Sequence, residues 1–135
     1  MEPYPFHTKV RVRYDETDFQ GHVYFAQYLK FFDIAAIEYM RSIDYSYAQM
    51  MEEGVDMLYV GAHVTYQSPS HFDEFLRLHC QIGKVGNTSM RFDFQIFGDE
   101  DDRLVAAGEI TAVFADPETW QKVPVPDRVR RAGGS

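Results

Sequence analysis

From Phe25 to Ile43 the chain reads Phe-Ala-Gln-Tyr-Leu-Lys-Phe-Phe-Asp-Ile-Ala-Ala-Ile-Glu-Tyr-Met-Arg-Ser-Ile. At 100° per residue, Gln27, Lys30, Asp33, Glu38 and Arg41 share one sector, and almost everything else is apolar. The spacing predicts a helix over about 25–43 whose wide apolar surface other structure must enclose on most sides. Ser42 to Tyr45 breaks it. Ser46 is then placed to cap a shorter helix through Glu53, closed by Gly54.

The flanks have the other period. His7 to Tyr14 alternates Val10, Val12 and Tyr14 against Lys9, Arg11 and Arg13, the pattern of a half-buried strand. Four more strands follow the helices: Leu58 to Gln67, Phe75 to Val85, Thr88 to Phe97 and Leu104 to Ala115. In the second of these Leu76, Leu78, Cys80 and Ile82 alternate with Arg77, His79 and Gln81. In the third Met90, Phe92, Phe94 and Ile96 alternate with Arg91, Asp93 and Gln95. The short polar connections around Gly86-Asn87 and Gly98 to Asp102 imply hairpins, and hence a largely antiparallel sheet. One strand, a long apolar helix, a short helix and four strands do not alternate as a doubly wound fold would. The expectation is an α+β domain in which a curled sheet takes in the helix, and long unpaired edge strands favour a homodimer.

Composition narrows the function. At 135 residues the chain suits a single domain, and Phe, Tyr and Trp make up 16% of it. A formal charge of −8 argues against generic binding to nucleic acid or an anionic membrane. Gly and Pro together make 15 residues, too few for a collagen-like or low-complexity chain. The lone Cys80 excludes a disulfide framework or a multi-thiolate zinc site. No export signal is visible at Met1 to Lys9, and the apolar helix carries too many charges to span a membrane, so a cytoplasmic setting is expected. His63, His71 and His79 share no metal-ligand spacing, and neither a Gly-x-Ser-x-Gly elbow nor a Gly-rich phosphate loop occurs. Cys80 falls among the apolar positions of its strand and reads as a buried thiol.

The segment before the long helix is the one most suited to chemistry. Asp15, Glu16, Asp18 and His22 precede a helix N-terminus, where unpaired N–H groups and a positive partial charge favour a developing oxyanion. A carboxylate there serves as a base or nucleophile, or else as a cap or dipole partner; the residues alone leave both open.

The stretch Tyr14-x-x-Thr17-Asp18-x-x-Gly21-His22-Val23-Tyr24-x-Ala26-x-Tyr28-Leu29 resembles the signature of the hotdog-fold thioesterases. The likeness is to the 4-hydroxybenzoyl-CoA thioesterase group and the Tol-Pal-associated acyl-CoA thioesterases. It continues through Ser46-Tyr47 and Gly54, Val64-x-Tyr66-x-x-Pro69, Phe72-Asp73-Glu74, Gly86-Asn87-Thr88-Ser89 and Phe114-Ala115-Asp116, over roughly residues 8 to 118. The resemblance implies one hotdog domain over 1–135, a curved antiparallel sheet wrapped around one long central helix. It also implies a homodimer or tetramer with active sites at the subunit interface. The implied reaction is hydrolysis of acyl-CoA thioesters to free acid and coenzyme A, with no cofactor beyond the coenzyme A of the substrate.

The family's carboxylate falls on Asp18, as general base or nucleophile, with His22 in support. Backbone N–H groups of Tyr24, Phe25 and Ala26 would hold the thioester oxygen, and Gly21 suits a tight turn or a close ligand approach. Phe25, Tyr28 and Phe72 are expected around the acyl group, and Lys84, Thr88 and Ser89 around coenzyme A. Two departures stand out. Phe25 occupies a position where many Tol-Pal relatives have histidine, and Lys84 is the only basic residue of its turn. Arg128, Arg130 and Arg131 lie in what reads as a loosely ordered tail ending Gly133-Gly134-Ser135. The alternatives are a hotdog hydratase or dehydratase, whose usual motif differs, and a non-catalytic module binding acyl-CoA or an acyl carrier.

Overall fold

The computed structural model describes residues 1–133. Along the chain run β1 (Phe6–Arg11), a 3-10 turn (Tyr14–Glu16), α1 (Gln27–Ser42), α2 (Tyr47–Glu52), β2 (Asp56–Tyr66), β3 (Phe75–Val85), β4 (Ser89–Gly98), β5 (Leu104–Ala115) and α3 (Asp127–Ala132). The strands form one antiparallel sheet in the order β1-β3-β4-β5-β2, with α1 packed against β1, β2, β3 and β4. This is the expected α+β arrangement, one long helix held by a sheet.

The helix buries Tyr28, Phe31, Phe32, Ala35, Ala36, Tyr39 and Met40 against the sheet. Phe32 stacks on Phe94 of β4 at 4.4 Å with the rings 6° apart. Such a pair contributes about 1 kcal/mol beyond the area it buries. The ring also sits over Gly108 of β5: a Cβ there would meet a Phe32 ring atom at 2.8 Å and clash with the His63 carbonyl. β5 thus needs hydrogen at this position because the β2 backbone and the helix both lie so close. The expected enclosure of α1 is only partly realised. A single chain covers one broad face, and Leu29 and Ile37 on the other are 40% and 42% exposed, because a sheet wraps a helix from one side.

Three further departures have identifiable physical causes. β1 stops at Arg11 rather than Tyr14, since Glu16 turns the chain: its side chain accepts from Arg13 N–H at 2.7 Å and its N–H donates to the Arg13 carbonyl at 3.0 Å. Tyr14 is therefore exposed. On the outer face of the sheet, His79 and Gln95 are buried rather than wet, because the N-terminal segment crosses them. Gln95 accepts from Tyr4 N–H at 2.8 Å and donates to the Glu2 carbonyl at 3.1 Å, and His79 Nδ1 lies 2.7 Å from the Tyr4 carbonyl. The stretch read as a loose tail forms α3 instead, anchored by Val129 within it and by Val125 just ahead of its cap, both buried; Gly134 and Ser135 of that tail lie outside the described residues. α2 keeps its expected cap, Ser46 accepting from Gln49 N–H while the Gln49 side chain accepts from Ser46 N–H.

Candidate active site

The segment between the 3-10 turn and α1 folds back on itself. Thr17 bridges Val23, Asp18 N–H donates to the His22 carbonyl at 2.8 Å, and Gly21 N–H donates to the Asp18 carbonyl at 3.0 Å. Gly21 takes φ +80°, and open space surrounds the place of a Cβ, so backbone conformation rather than crowding calls for glycine. Within this loop one carboxylate oxygen of Asp18, Oδ1, accepts from the N–H groups of Gln20 (2.9 Å) and His22 (3.3 Å). No hydrogen bond reaches Oδ2 among the described residues. The carboxylate is half-buried and fixed through one oxygen, leaving the other without a hydrogen-bond partner among the described residues.

Outside contacts secure the loop. Val23 N–H donates to the Ser70 carbonyl at 2.8 Å, His22 bridges His71, and their rings meet edge to face at 5.0 Å. Segment 70–74 is fastened in turn. Arg103 donates to the Pro69 carbonyl (2.8 Å) and pairs with Glu74 (2.7 Å), and Asp73, at φ +72°, donates its N–H to the Val12 carbonyl and pairs with Arg11. Glu16 ties the turn to the helix, its carbonyl accepting from Tyr24 N–H at 2.9 Å and its side chain from Gln27 at 3.3 Å.

The start of α1 is open. Gln27 N–H closes on the Tyr24 carbonyl and Leu29 N–H on the Ala26 carbonyl, but among the described residues the N–H groups of Phe25 and Ala26 donate to nothing. The Phe25 carbonyl accepts from the Tyr66 hydroxyl at 2.9 Å. A carboxylate held ahead of free helix N–H groups can generate a nucleophile beside a site for the oxyanion it creates.

The other anticipated site residues are dispersed. Tyr28 is a core residue whose hydroxyl bonds Ser70 Oγ at 2.7 Å, and burial pushes its ionisation upward. Phe25 stands exposed beside Tyr24 and Tyr66. Phe72 is exposed against Tyr14 and lines a groove of about 660 Å³ between β1 and α1, which also takes in Lys9, Arg13, Lys30 and Ile34. Asp18 does not line that groove. Lys84 and Ser89 line a pocket of about 260 Å³ at the β3–β4 turn, with Thr88 in the turn itself, where Arg130 of α3 donates to the Gly86 carbonyl at 2.8 Å. That turn lies at the far end of β3 from Asp18; ten residue intervals make about 33 Å. Within one chain the two groups do not meet. Cys80 is fully buried, its thiol raised well above the usual range by desolvation. Ser70 and Tyr66, 42 and 41 residues from their partners, carry no local spacing signal that ties them to this site.

The comparisons agree with this architecture. A sequence model of the thioesterase-like superfamily matches residues 12–133. An acyl-CoA thioester hydrolase of Escherichia coli is 33% identical over 112 residues, 83% of each chain. A 1,4-dihydroxy-2-naphthoyl-CoA thioesterase from Synechocystis superposes with a TM-score of 0.87 at 23% identity, over 96% of both chains. A DHNA-CoA thioesterase from Staphylococcus aureus superposes at 0.82 with 23% identity, over 87% of this chain and 78% of its own. At that identity the two structures speak for the hotdog fold.

Proposed function

The chain belongs to the thioesterase-like superfamily, and on that premise we propose that it hydrolyses acyl-CoA thioesters to a free acid and coenzyme A, with Asp18 at the centre of the reaction. The observation that carries this is the Asp18 carboxylate, held through Oδ1 by two backbone N–H groups ahead of the open N-terminus of α1. In the general-base form, Oδ2 takes a proton from water as its oxygen bonds the thioester carbon. The Phe25 and Ala26 N–H groups receive the carbonyl oxygen as it becomes anionic. The C–S bond then breaks, and the proton passes to the departing thiolate. In the nucleophilic form Oδ2 itself bonds the carbon and the C–S bond breaks, expelling the coenzyme A thiolate; water then adds to the resulting anhydride, releasing the acid, restoring the Asp18 carboxylate and supplying the proton that the thiolate takes up. His22 supports either route by orienting water, and Gly21 permits the turn that presents Asp18. The reaction needs no cofactor beyond the coenzyme A that arrives with the substrate.

The functional unit in this reading is a dimer. β2 is an edge strand on which Leu58, Tyr59 and Val60 are 41%, 42% and 61% exposed, beside the exposed Leu29 and Ile37 of α1. Such an edge calls for a partner. Antiparallel pairing of two β2 strands about their midpoints sets the partner's Asp56 end beside this chain's Tyr66 end. The coenzyme A contacts of one site, Lys84, Thr88 and Ser89, then come from the other subunit, and Phe25 and Phe72 lie toward the acyl group. No helix among the described residues is long and apolar enough to cross a membrane, and the buried free thiol of Cys80 supports a cytoplasmic setting.

Thiol release from a panel of short, long and aromatic acyl-CoAs tests the activity, with Asp18→Ala alongside. Turnover on some members that collapses in the variant is expected. Tight binding of a non-hydrolysable thioether analogue, with no turnover of any thioester and no effect of Asp18→Ala, would instead make the protein a binding module.

A further inference from the structure

The Phe25 carbonyl lies just ahead of α1 and outside its hydrogen-bond ladder. Leu29 N–H donates to Ala26 at 3.3 Å, and Gln27 N–H closes on Tyr24 at 2.9 Å. The Phe25 carbonyl, left out of both, accepts from the Tyr66 hydroxyl at 2.9 Å. That hydroxyl is rigidly delivered. Tyr66 is paired with Ala106 of β5, and its ring meets those of Tyr28 at 5.5 Å and Phe25 at 6.5 Å.

The peptide between Phe25 and Ala26 is trans, so its C=O and N–H point in opposite directions. Fixing the carbonyl from one side fixes the N–H on the other, and Ala26 N–H is among the free donors at the helix start. A hydrogen bond accepted by an amide oxygen also polarises the N–H of the same amide, strengthening its own bond by about 10–30%.

We infer that Tyr66 is a positioning residue for thioester hydrolysis: through the Phe25 carbonyl it aims and polarises the Ala26 N–H that receives the oxyanion. This rests on the oxyanion site proposed above. The hydroxyl acts on the transition state and leaves ground-state binding alone, because it is turned away from the face that the substrate oxygen approaches.

The test is Tyr66→Phe in the full chain, which keeps the ring and its packing. Loss of an oxyanion donor outright costs on the order of a hundredfold or more in kcat; losing only its aim and polarisation should cost about tenfold, with KM within twofold of wild type. Two acyl-CoA analogues supply a readout that a general loosening would not give. A trifluoromethyl ketone, which adopts a tetrahedral form, should bind about tenfold more weakly to Tyr66→Phe, and a thioether lacking the carbonyl should bind equally to both proteins. A kcat within twofold of wild type, or equal losses for the two analogues, overturns the role of Tyr66. Asp18→Asn assayed in parallel separates the two levels. Its collapse beside an unimpaired Tyr66→Phe removes Tyr66 alone; full turnover in Asp18→Asn removes the Asp18 reading, and the analogue pair still decides for or against Tyr66.

Discussion

Tyr28→Phe probes a buried hydroxyl pair that joins the core helix to the site. Tyr28 and Ser70 lie 2.7 Å apart, hydroxyl to hydroxyl, at 4% and 0% exposure. Removing the Tyr28 hydroxyl loses a hydrogen bond worth about 1 kcal/mol net and strands the Ser70 hydroxyl in the interior, so the expected destabilisation is about 1–3 kcal/mol. Ser70→Ala strands the Tyr28 hydroxyl in the same way and should cost a similar amount. The double variant Tyr28→Phe/Ser70→Ala leaves nothing stranded, and its cost should approach that of one single substitution, a coupling of about 1–2 kcal/mol. Urea denaturation followed by far-ultraviolet circular dichroism measures all four proteins. Because the Ser70 carbonyl also accepts from Val23 N–H, hydrogen exchange at the Val23 amide should quicken in each single variant. Strict additivity, or a Tyr28→Phe cost below about 0.5 kcal/mol, would refute the reasoning.

Gly108→Ala places a methyl group against the His63 carbonyl and Phe32; overpacking of this kind should cost about 1–3 kcal/mol in the same denaturation assay, and a neutral result would mean that both β2 and the helix can give way. His79 is held neutral: burial lowers its pKa from the ordinary 6.5, outweighing the raising effect of its bond to the Tyr4 carbonyl, and His7 and Arg77 beside it push the same way. The unfolded chain therefore takes up a proton that the folded one refuses, so this stabilisation is complete above about pH 6.5 and is lost as pH falls below it. Between pH 7.5 and 5.5 the thermal midpoint should fall further in wild type than in His79→Gln; identical pH slopes would contradict this. Val60→Lys charges the open β2 edge at its irregular register and should shift sedimentation from dimer to monomer, whereas an unchanged species would move the interface elsewhere.

The fold was legible where periodicity decides it. The alternation of Leu76, Leu78 and Cys80 and of Phe92, Phe94 and Ile96 marks their faces, and these side chains are buried as read. Strand order was not, because period identifies a face and not a neighbour; nothing local says that β2 pairs with β5. Burial of His79 and Gln95 depends on a segment some 75 to 93 residues away in sequence. α3 is not legible because Arg128, Arg130 and Arg131 leave Val129 as its one buried anchor, too little for a helical period. The candidate site divides in the same way. Asp18, Gly21 and His22 form one contiguous loop and are visible as a motif. Tyr66 falls within the Val64-x-Tyr66-x-x-Pro69 likeness, but nothing there ties its hydroxyl to Phe25, 41 residues away, and no pattern ties Ser70 to Tyr28 or to Val23.

The central claim is that the Asp18 carboxylate performs the hydrolysis, and kcat for thiol release by Asp18→Asn tests it most directly. The amide oxygen of asparagine can keep the bonds from Gln20 and His22 N–H, so the loop should hold its shape while the charge is lost. A fall in kcat on the order of a hundredfold or more is expected, with the thermal midpoint and oligomeric state unchanged. A variant that folds like wild type and turns over acyl-CoA at the wild-type rate would contradict it.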